Sequence, residues 1–137
     1  MRITQELLDE LSAQASPRLR MNYDLRNSPA DGSQRMLNAI EPGAPLPIHR
    51  HRGTSETVVC LRGRLVEEFY SPDGVCTEVM ELRPDGPMVG LNIPAGQWHT
   101  VRALESGTVI MEVKDGRYEP IPAEDVMIIK PYEICSI

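Results

Sequence analysis

The segment GAPLPIHRHRGTSETVVCLRG, residues 43–63, holds two of the three histidines of the chain in the pattern His-x-His. Alternate side chains of a β-strand point to the same face, so a strand here would place His49 and His51 side by side. Two protonated imidazoles would repel each other, and two buried neutral ones would leave lone pairs without partners. A cation that uses these lone pairs resolves both problems, so the pattern predicts a metal site.

Two further residues are predicted to join this pair. Gly53 and its polar neighbours allow a turn, so Glu56 at the start of the next strand can double back beside the histidines. The third histidine, His99, follows Pro94 and Gly96, which have the chemistry of a type II-like turn leading into another strand. A lone strand histidine is more often a packed or surface residue than a ligand. Here four residues of ligand type are predicted to converge, so metal binding is the better interpretation.

Composition and charge limit the class of protein. The chain has 137 residues, which fits one globular domain, and its 41% hydrophobic and 25% charged residues are ordinary for such a domain. A net charge of −6 and a pI near 5.0 disfavour a nucleic-acid partner. No apolar run approaches the roughly 18 residues of a membrane span, and the N-terminus lacks an apolar signal core, so we expect neither a membrane partner nor export.

The cysteines indicate the compartment. There are three, with an odd total and no Cys-x-x-Cys pair: Cys60, Cys76 and Cys135. This spacing does not suit a disulfide framework, so reduced thiols are the simpler interpretation. We therefore predict a cytoplasmic protein.

The chain changes character near Arg20. Before it, TQELLDELSAQ (residues 4–14) predicts a short helix that Thr4 can cap and that carries an apolar stripe of leucines. After it come short strand-like runs bounded by turns such as SPDG, residues 71–74. This spacing predicts an all-β barrel or sandwich with a short N-terminal α-helix.

No repeat, linker or low-complexity tract divides the chain, so we predict one domain over residues 1–137. Its parts are a helix and arm (1–19), a barrel (20–118) and a proline-containing C-terminal segment that wraps an edge (119–137). Within that segment, VMII at residues 126–129 can be strand or helix.

The histidine segment also carries a family resemblance. The first cupin motif, G(x)5HxH(x)3-4E(x)6G, is matched by Gly43, His49, His51, Glu56 and Gly63. The second, G(x)5PxG(x)2H(x)3N, is matched from Pro94 to His99, but Gly90 is too near Pro94 and Ala103 replaces the final Asn. The chain therefore resembles the cupin superfamily. The resemblance implies a double-stranded β-helix, or jelly-roll barrel, with a metal site formed by His49, His51, Glu56 and His99.

A narrower resemblance covers most of the chain. Residues 16–43, 49–51, 93–101 and 111–120 are similar to the WbuC family of cupin metalloproteins, although residues 114–118 depart from its Lys-x-Gly-Pro-Tyr pattern. That family occurs among bacterial cell-surface polysaccharide (O-antigen) genes, so the resemblance implies a context but no reaction. Small cupins often dimerise, which makes a homodimer the expected assembly.

The ligand set permits several metals and two classes of function. Three imidazoles and a carboxylate suit one divalent Fe, Ni, Mn or Zn ion. An octahedral ion would keep two open positions, and a zinc ion on three histidines would keep one water. We therefore consider two hypotheses. The first is a metal-dependent enzyme acting on a small molecule, such as a carbohydrate derivative, and the alternative is a non-catalytic metal- or ligand-binding module.

Other polar residues are candidates for binding the small molecule. At the pocket mouth, an anionic or sugar-like ligand could be held by Arg35, Tyr23 and Asn38, together with Arg18 and Arg20. Glu112 alternates with Ile110 and Lys114, so it can face inward as a partner of a histidine ligand or outward in a surface salt bridge.

Overall fold

The computed structural model describes residues 1–128, which form one α-helix and eight β-strands. In chain order these are α1 (Gln5–Ala15), β1 (Arg20–Asp24), β2 (Ser33–Ile40), β3 (Glu56–Arg62), β4 (Leu65–Tyr70), β5 (Cys76–Leu82), β6 (Gly90–Ile93), β7 (Trp98–Ala103) and β8 (Thr108–Asp115). A short 3-10 helix follows at Ala123–Asp125. The predicted all-β fold with a short N-terminal helix is confirmed.

The strands form two antiparallel sheets, of order β1-β2-β8-β3-β6 and β5-β4-β7. Their inner faces share one apolar core to which seven strands contribute: Ile40, Val58, Cys60, Leu65, Leu82, Ile93, Ala103 and Ile110. Burying these side chains together stabilises the two sheets as a barrel.

Helix α1 packs on the outer face of the five-stranded sheet. The Thr4 hydroxyl accepts a hydrogen bond from the backbone N–H of Leu7 (3.1 Å), which is the predicted N-cap. Leu8 and Leu11 are buried against Leu37 and Val109. This second cluster means that β2 and β8, which lie beneath α1, carry buried side chains on both faces.

Two turns show why glycine is needed. The predicted turn at residues 71–74 joins β4 to β5, with Gly74 at φ +85° and its N–H donating to the Ser71 carbonyl (2.9 Å). Gly63, the last glycine of the first motif, has φ +82°, and a Cβ there would lie 2.7 Å from the Cα of Thr108. The motif keeps glycine at this position because any other residue would be strained and would clash with β8.

The cysteines differ from the expectation of three reduced thiols. Cys60 is a free thiol in the core, where burial raises its pKa to about 11. Cys76 is disulfide-bonded, so the expectation is wrong for that residue and cysteine spacing no longer supports a reducing compartment. Cys135, Ile129 and the remainder of the predicted C-terminal wrap beyond residue 128 lie outside the described residues.

Within residues 1–128, no helix is long and apolar enough to cross a membrane.

Candidate metal centre

The histidine pair lies in an extended connection between β2 and β3. The prediction of a regular strand here is wrong, because His49 makes only isolated bridges, one to His99 and one to Val126. The His49 and His99 backbones exchange two hydrogen bonds, of 3.0 and 2.9 Å. The alternation of side chains still holds: the rings of His49 and His51 lie on the same side, 5.1 Å apart.

The arginines that alternate with the histidines point away and form a clasp, which we define as Arg50, Arg52 and Asp125. Oδ1 of Asp125 accepts from Nε of Arg50 (2.9 Å) and from Nε of Arg52 (2.6 Å). The Arg50 guanidinium also lies 4.5 Å from the centre of the Trp98 ring, a cation–π contact. The clasp holds the histidine segment against the C-terminal segment and β7.

Four side chains converge inside the barrel. One possible ligand atom from each of His49, His51, Glu56 and His99 lies within 4.8 Å of the other three. Glu56 opens β3, and His99 follows the predicted turn, in which Gly96 has φ +82° and the Gln97 N–H donates to the Pro94 carbonyl (3.2 Å). The site is thus assembled from both sheets and one connection.

Backbone carbonyls orient two of the rings. Nδ1 of His99 lies 2.8 Å from the Gln97 carbonyl oxygen, and Nδ1 of His49 lies 3.1 Å from that of Pro47. A carbonyl oxygen can only accept, so each Nδ1 is the protonated nitrogen of the neutral ring. The lone pair of each ring then sits on Nε2, the arrangement that metal-binding histidines adopt.

The charges of the cluster suit a cation. Burial, and then the neighbouring His99 ring, lowers the pKa of His49 to about 4, so this ring is neutral at pH 7. Burial opposes ionisation of Glu56, but His51 and His99 together hold its pKa well below the usual range. Oε2 of Glu56 lies 3.2 Å from Nε2 of His51, yet it makes no well-oriented hydrogen bond among the described residues. The neutral imidazole of His49 and the orphaned carboxylate oxygen of Glu56 fit a bound divalent metal.

The cluster lines a cavity of about 340 Å³ that both sheets enclose. Three of the predicted ligand-binding residues line it: Arg20, Asn38 and Glu112. The Asn38 amide donates to Oε1 of Glu112 (3.0 Å), and Nε of Arg20 donates to Oδ1 of Asn38 (3.2 Å). Glu112 faces inward, but its partner is this amide and not a histidine, and burial with the charge of Glu56 raises its pKa to about 7.

Tyr23 and Arg35 do not line the cavity, which corrects their assignment to the pocket mouth. Tyr23 pairs with Leu37 in the sheet and packs with the cluster beneath α1. Arg35 is on the same outer face and pairs with Asp31, with Nη2 3.0 Å from the carboxylate. Their strand positions alternate with those of the cavity-facing Asn38, so they point to the opposite side of the sheet.

The sequence analysis missed Glu67 of β4. This side chain lines the cavity, has no exposed surface, and neither of its oxygens has a hydrogen-bond partner among the described residues. Burial, and then the charges of Glu56 and Glu112, raises its pKa well above the usual value. In LVEEFY, residues 65–70, each alternating face carries one glutamate between hydrophobic residues, so the sequence did not reveal which glutamate faces inward.

Solved structures share this fold. The chain aligns with KdgF from Halomonas sp. at a TM-score of 0.58 and 16% identity, over 74% of this chain and 83% of that one. It aligns with oxalate decarboxylase from Bacillus subtilis, in a study of its Mn(II) centres, at 0.53 and 18%, over 74% and 26%. With CapF, in complex with the inhibitor 3-isopropenyl-tropolone, the values are 0.55 and 22%, over 72% and 28%. The chain thus spans about a quarter of the last two proteins.

The two antiparallel sheets and these likenesses show a cupin-like β-barrel fold for this chain, with a cluster of three histidines and a glutamate inside it. The chain belongs to the family described as a domain of unknown function (DUF6016), which matches residues 3–82. The matched range contains three of the four clustered residues and ends before His99. A sequence search of curated proteins found no match.

Proposed function

We propose that the protein binds one divalent transition metal ion through His49, His51, Glu56 and His99, and that a small molecule binds beside the metal in the cavity. The observation that carries the proposal is the convergence of four ligand atoms within 4.8 Å at the wall of that cavity. Two of the rings are already oriented by backbone carbonyls, so the donors need little reorganisation to accept an ion.

Manganese is the first metal to test. Three nitrogen donors and one oxygen donor suit Fe, Mn, Ni or Zn, and the donor set does not choose among them. The structurally similar oxalate decarboxylase is described with Mn(II) centres. That likeness supports Mn(II), although it extends to the fold alone.

The bound ion would act as a Lewis acid on an oxygen atom of the small molecule. The residues of the chain would supply the rest of the site. Asn38, held between Arg20 and Glu112, presents a fixed amide to the cavity. Glu112 and Glu67 add two buried carboxyl groups within the same space.

The carboxyl and amide groups of the cavity favour a metal-dependent enzyme over the alternative, a non-catalytic binding module. A binding module tolerates a sealed, apolar site, whereas this cavity carries carboxyl and amide groups beyond the metal donors. Membership of the WbuC family, a carbohydrate-derived ligand, a role in cell-surface polysaccharide metabolism, a cytoplasmic location, a single domain over 1–137 and a homodimer are further parts of the proposal. They rest on the sequence interpretation and the family resemblance, without the cysteine argument for the cytoplasmic location, which the disulfide-bonded Cys76 removes.

Metal content and thermal stability test this proposal together. Protein purified without added metal should contain about one equivalent of a transition metal, and exhaustive chelation should lower its melting temperature, because the ion binds the folded chain. Restoring Mn(II) should restore the melting temperature. Protein with no transition metal and a melting curve indifferent to both chelator and Mn(II) would overturn the proposal.

A further inference from the structure

Glu67 is the buried polar side chain in the cavity that the proposed metal site does not use. It lies on β4, in the three-stranded sheet, and its residue pairs with Val101 of β7. His99 pairs with Phe69, two residues along, so Glu67 is a diagonal neighbour of His99 on the inner face, at roughly 7–8 Å between backbones. Glu67 therefore faces the same space as the metal donors.

The two oxygens of Glu67 need a partner that residues 1–128 do not supply. The side chain is fully buried, and neither oxygen is hydrogen-bonded. Leaving a buried polar group unpaired is unfavourable, and more so when the group is charged. Glu68, the next residue, is also buried but faces the other way and lies 3.6 Å from Nε of Arg102. The two neighbouring glutamates thus differ in pairing.

Glu67 is not suited to a second metal site. Apart from the four residues already described, no group of three His, Cys, Asp or Glu side chains within residues 1–128 converges closely enough to hold an ion. A hydrogen-bonding molecule in the cavity would supply the partner that residues 1–128 do not supply.

We propose that Glu67 recognises a hydroxyl group of a neutral, polyhydroxylated ligand bound beside the metal ion. The inference rests on the proposed function, since it places that ligand at the metal site. A hydroxyl group both donates and accepts, so it satisfies Glu67 whether the carboxyl group is ionised or protonated. An anionic ligand group could only accept, so it could not satisfy an ionised Glu67.

Amide side chains elsewhere in the wall add hydrogen-bonding groups, alongside apolar residues such as Ile93 and Val101. The amide of Asn38 is bonded to Arg20 and Glu112, and Gln34 and Asn22 add further amides to the lining. Amide and carboxyl groups together offer donors and acceptors at several points, as recognition of several hydroxyl groups requires. Hydrogen-bonding sites of this kind discriminate strongly against ligands that lack the matching group.

Paramagnetic NMR of the Mn(II)-loaded protein tests the inference with named probes. The neutral probes are glucose, galactose, rhamnose and mannitol, and the anionic probe is malonate; binding near Mn(II) broadens the proton signals of a probe. At least one neutral probe should bind, and more tightly than malonate. Glu67→Met should weaken that neutral probe at least tenfold, whereas Glu67→Gln, which keeps a donor and an acceptor, should stay within about threefold of wild type. Glu68→Gln is the matched control and should bind like wild type.

Several results would overturn the inference. These are malonate binding more tightly than every neutral probe, no neutral probe binding at all, or Glu67→Met binding the neutral probe like wild type. Mn(II) affinity is measured separately in each variant, so a wild-type protein that does not take up Mn(II) marks the failure of the proposed function instead. In that event saturation-transfer NMR, which needs no metal, applies the same probes and the same criteria.

Discussion

The two ends of the barrel interior contrast sharply, although the same strands build both. On each of four strands, an apolar core residue and a polar cavity residue face inward two positions apart. The pairs are Ile40 and Asn38, Val58 and Glu56, Leu65 and Glu67, and Ile110 and Glu112. A spacing of two keeps the same face of the sheet, so the change is one of position along the barrel and not of orientation.

The contrast separates stability from function. The apolar end buries side chains that need no partner, and it stabilises the fold. The polar end buries groups that residues 1–128 satisfy only in part, Glu67 above all. Local violations of good packing chemistry are expected at functional sites. If this division is correct, substitutions at the two ends should affect different measurements.

The largest effect is expected for His51→Ala at the polar end. Loss of one donor of four from a binding free energy on the order of 10 kcal/mol should weaken metal binding about 100- to 1000-fold. The metal-free melting temperature should change little, because the side chain of His51 is partly exposed. Titration of Mn(II), with Cys60→Ser in the apolar core as the control, measures this. Equal affinity in wild type and His51→Ala would remove His51 from the ligand set.

Leu65→Ala is the counterpart at the apolar end. Leu65 is fully buried, so the cavity left behind should destabilise the fold by about 2–5 kcal/mol. Mn(II) affinity of the folded variant should equal that of wild type. Urea unfolding of metal-free protein gives the first quantity and metal titration the second. A variant with normal stability and weakened metal binding would contradict the division between the two ends.

The sequence predicted the polar end better than its surroundings. His49, His51, Glu56 and His99 were identified because histidine is rare in the chain and because turn residues place the four together. The strand through His49 was wrong, since its hydrogen bonds go to a bridge with His99 and not to a full ladder.

The errors outside the cluster of three histidines and Glu56 concern which face of a strand a side chain occupies. Tyr23 and Arg35 were assigned to the pocket mouth by residue type, but their alternation with Asn38 puts them on the outer face. That face carries the apolar cluster beneath α1, so hydrophobic residues do not reveal which side of β1 or β2 lines the cavity. Glu67 was missed for a related reason. Because β4 is almost entirely buried, its sequence does not alternate between an apolar and a polar face, and the inward face could not be inferred.

Glu67→Met should stabilise the metal-free fold, unlike a substitution at the apolar end. Replacing an unpartnered buried carboxyl by an apolar side chain of similar size should gain about 1–3 kcal/mol at pH 7. The folded-state pKa of Glu67 lies above the unfolded value. Below the unfolded pKa the carboxyl group is protonated in both states, so its ionisation disfavours folding only as the pH rises above that value. The gain should therefore be small at pH 4 and grow from about pH 4.5 upward. Urea unfolding of both proteins across this range measures it, and a gain that shrinks with rising pH would show that Glu67 is paired in solution.

The smallest effect is expected from Asp125→Asn, which asks whether the polar end depends on the clasp outside it. The substitution keeps the size of the side chain but removes the charge that Arg50 and Arg52 share. Since the backbone of Arg50 also bonds to Asp125, the histidine segment should stay in place but hold its rings less firmly. Supporting residues of this kind change metal affinity by about tenfold, so we expect a loss near that size.

Glu124→Gln is the matched control, because Glu124 is largely exposed and its contact with Arg52 is long, at 4.0 Å. Metal titration of both variants decides: equal losses would mean that net charge near the site matters, and a loss in Asp125→Asn alone would mean that the clasp positions the metal donors.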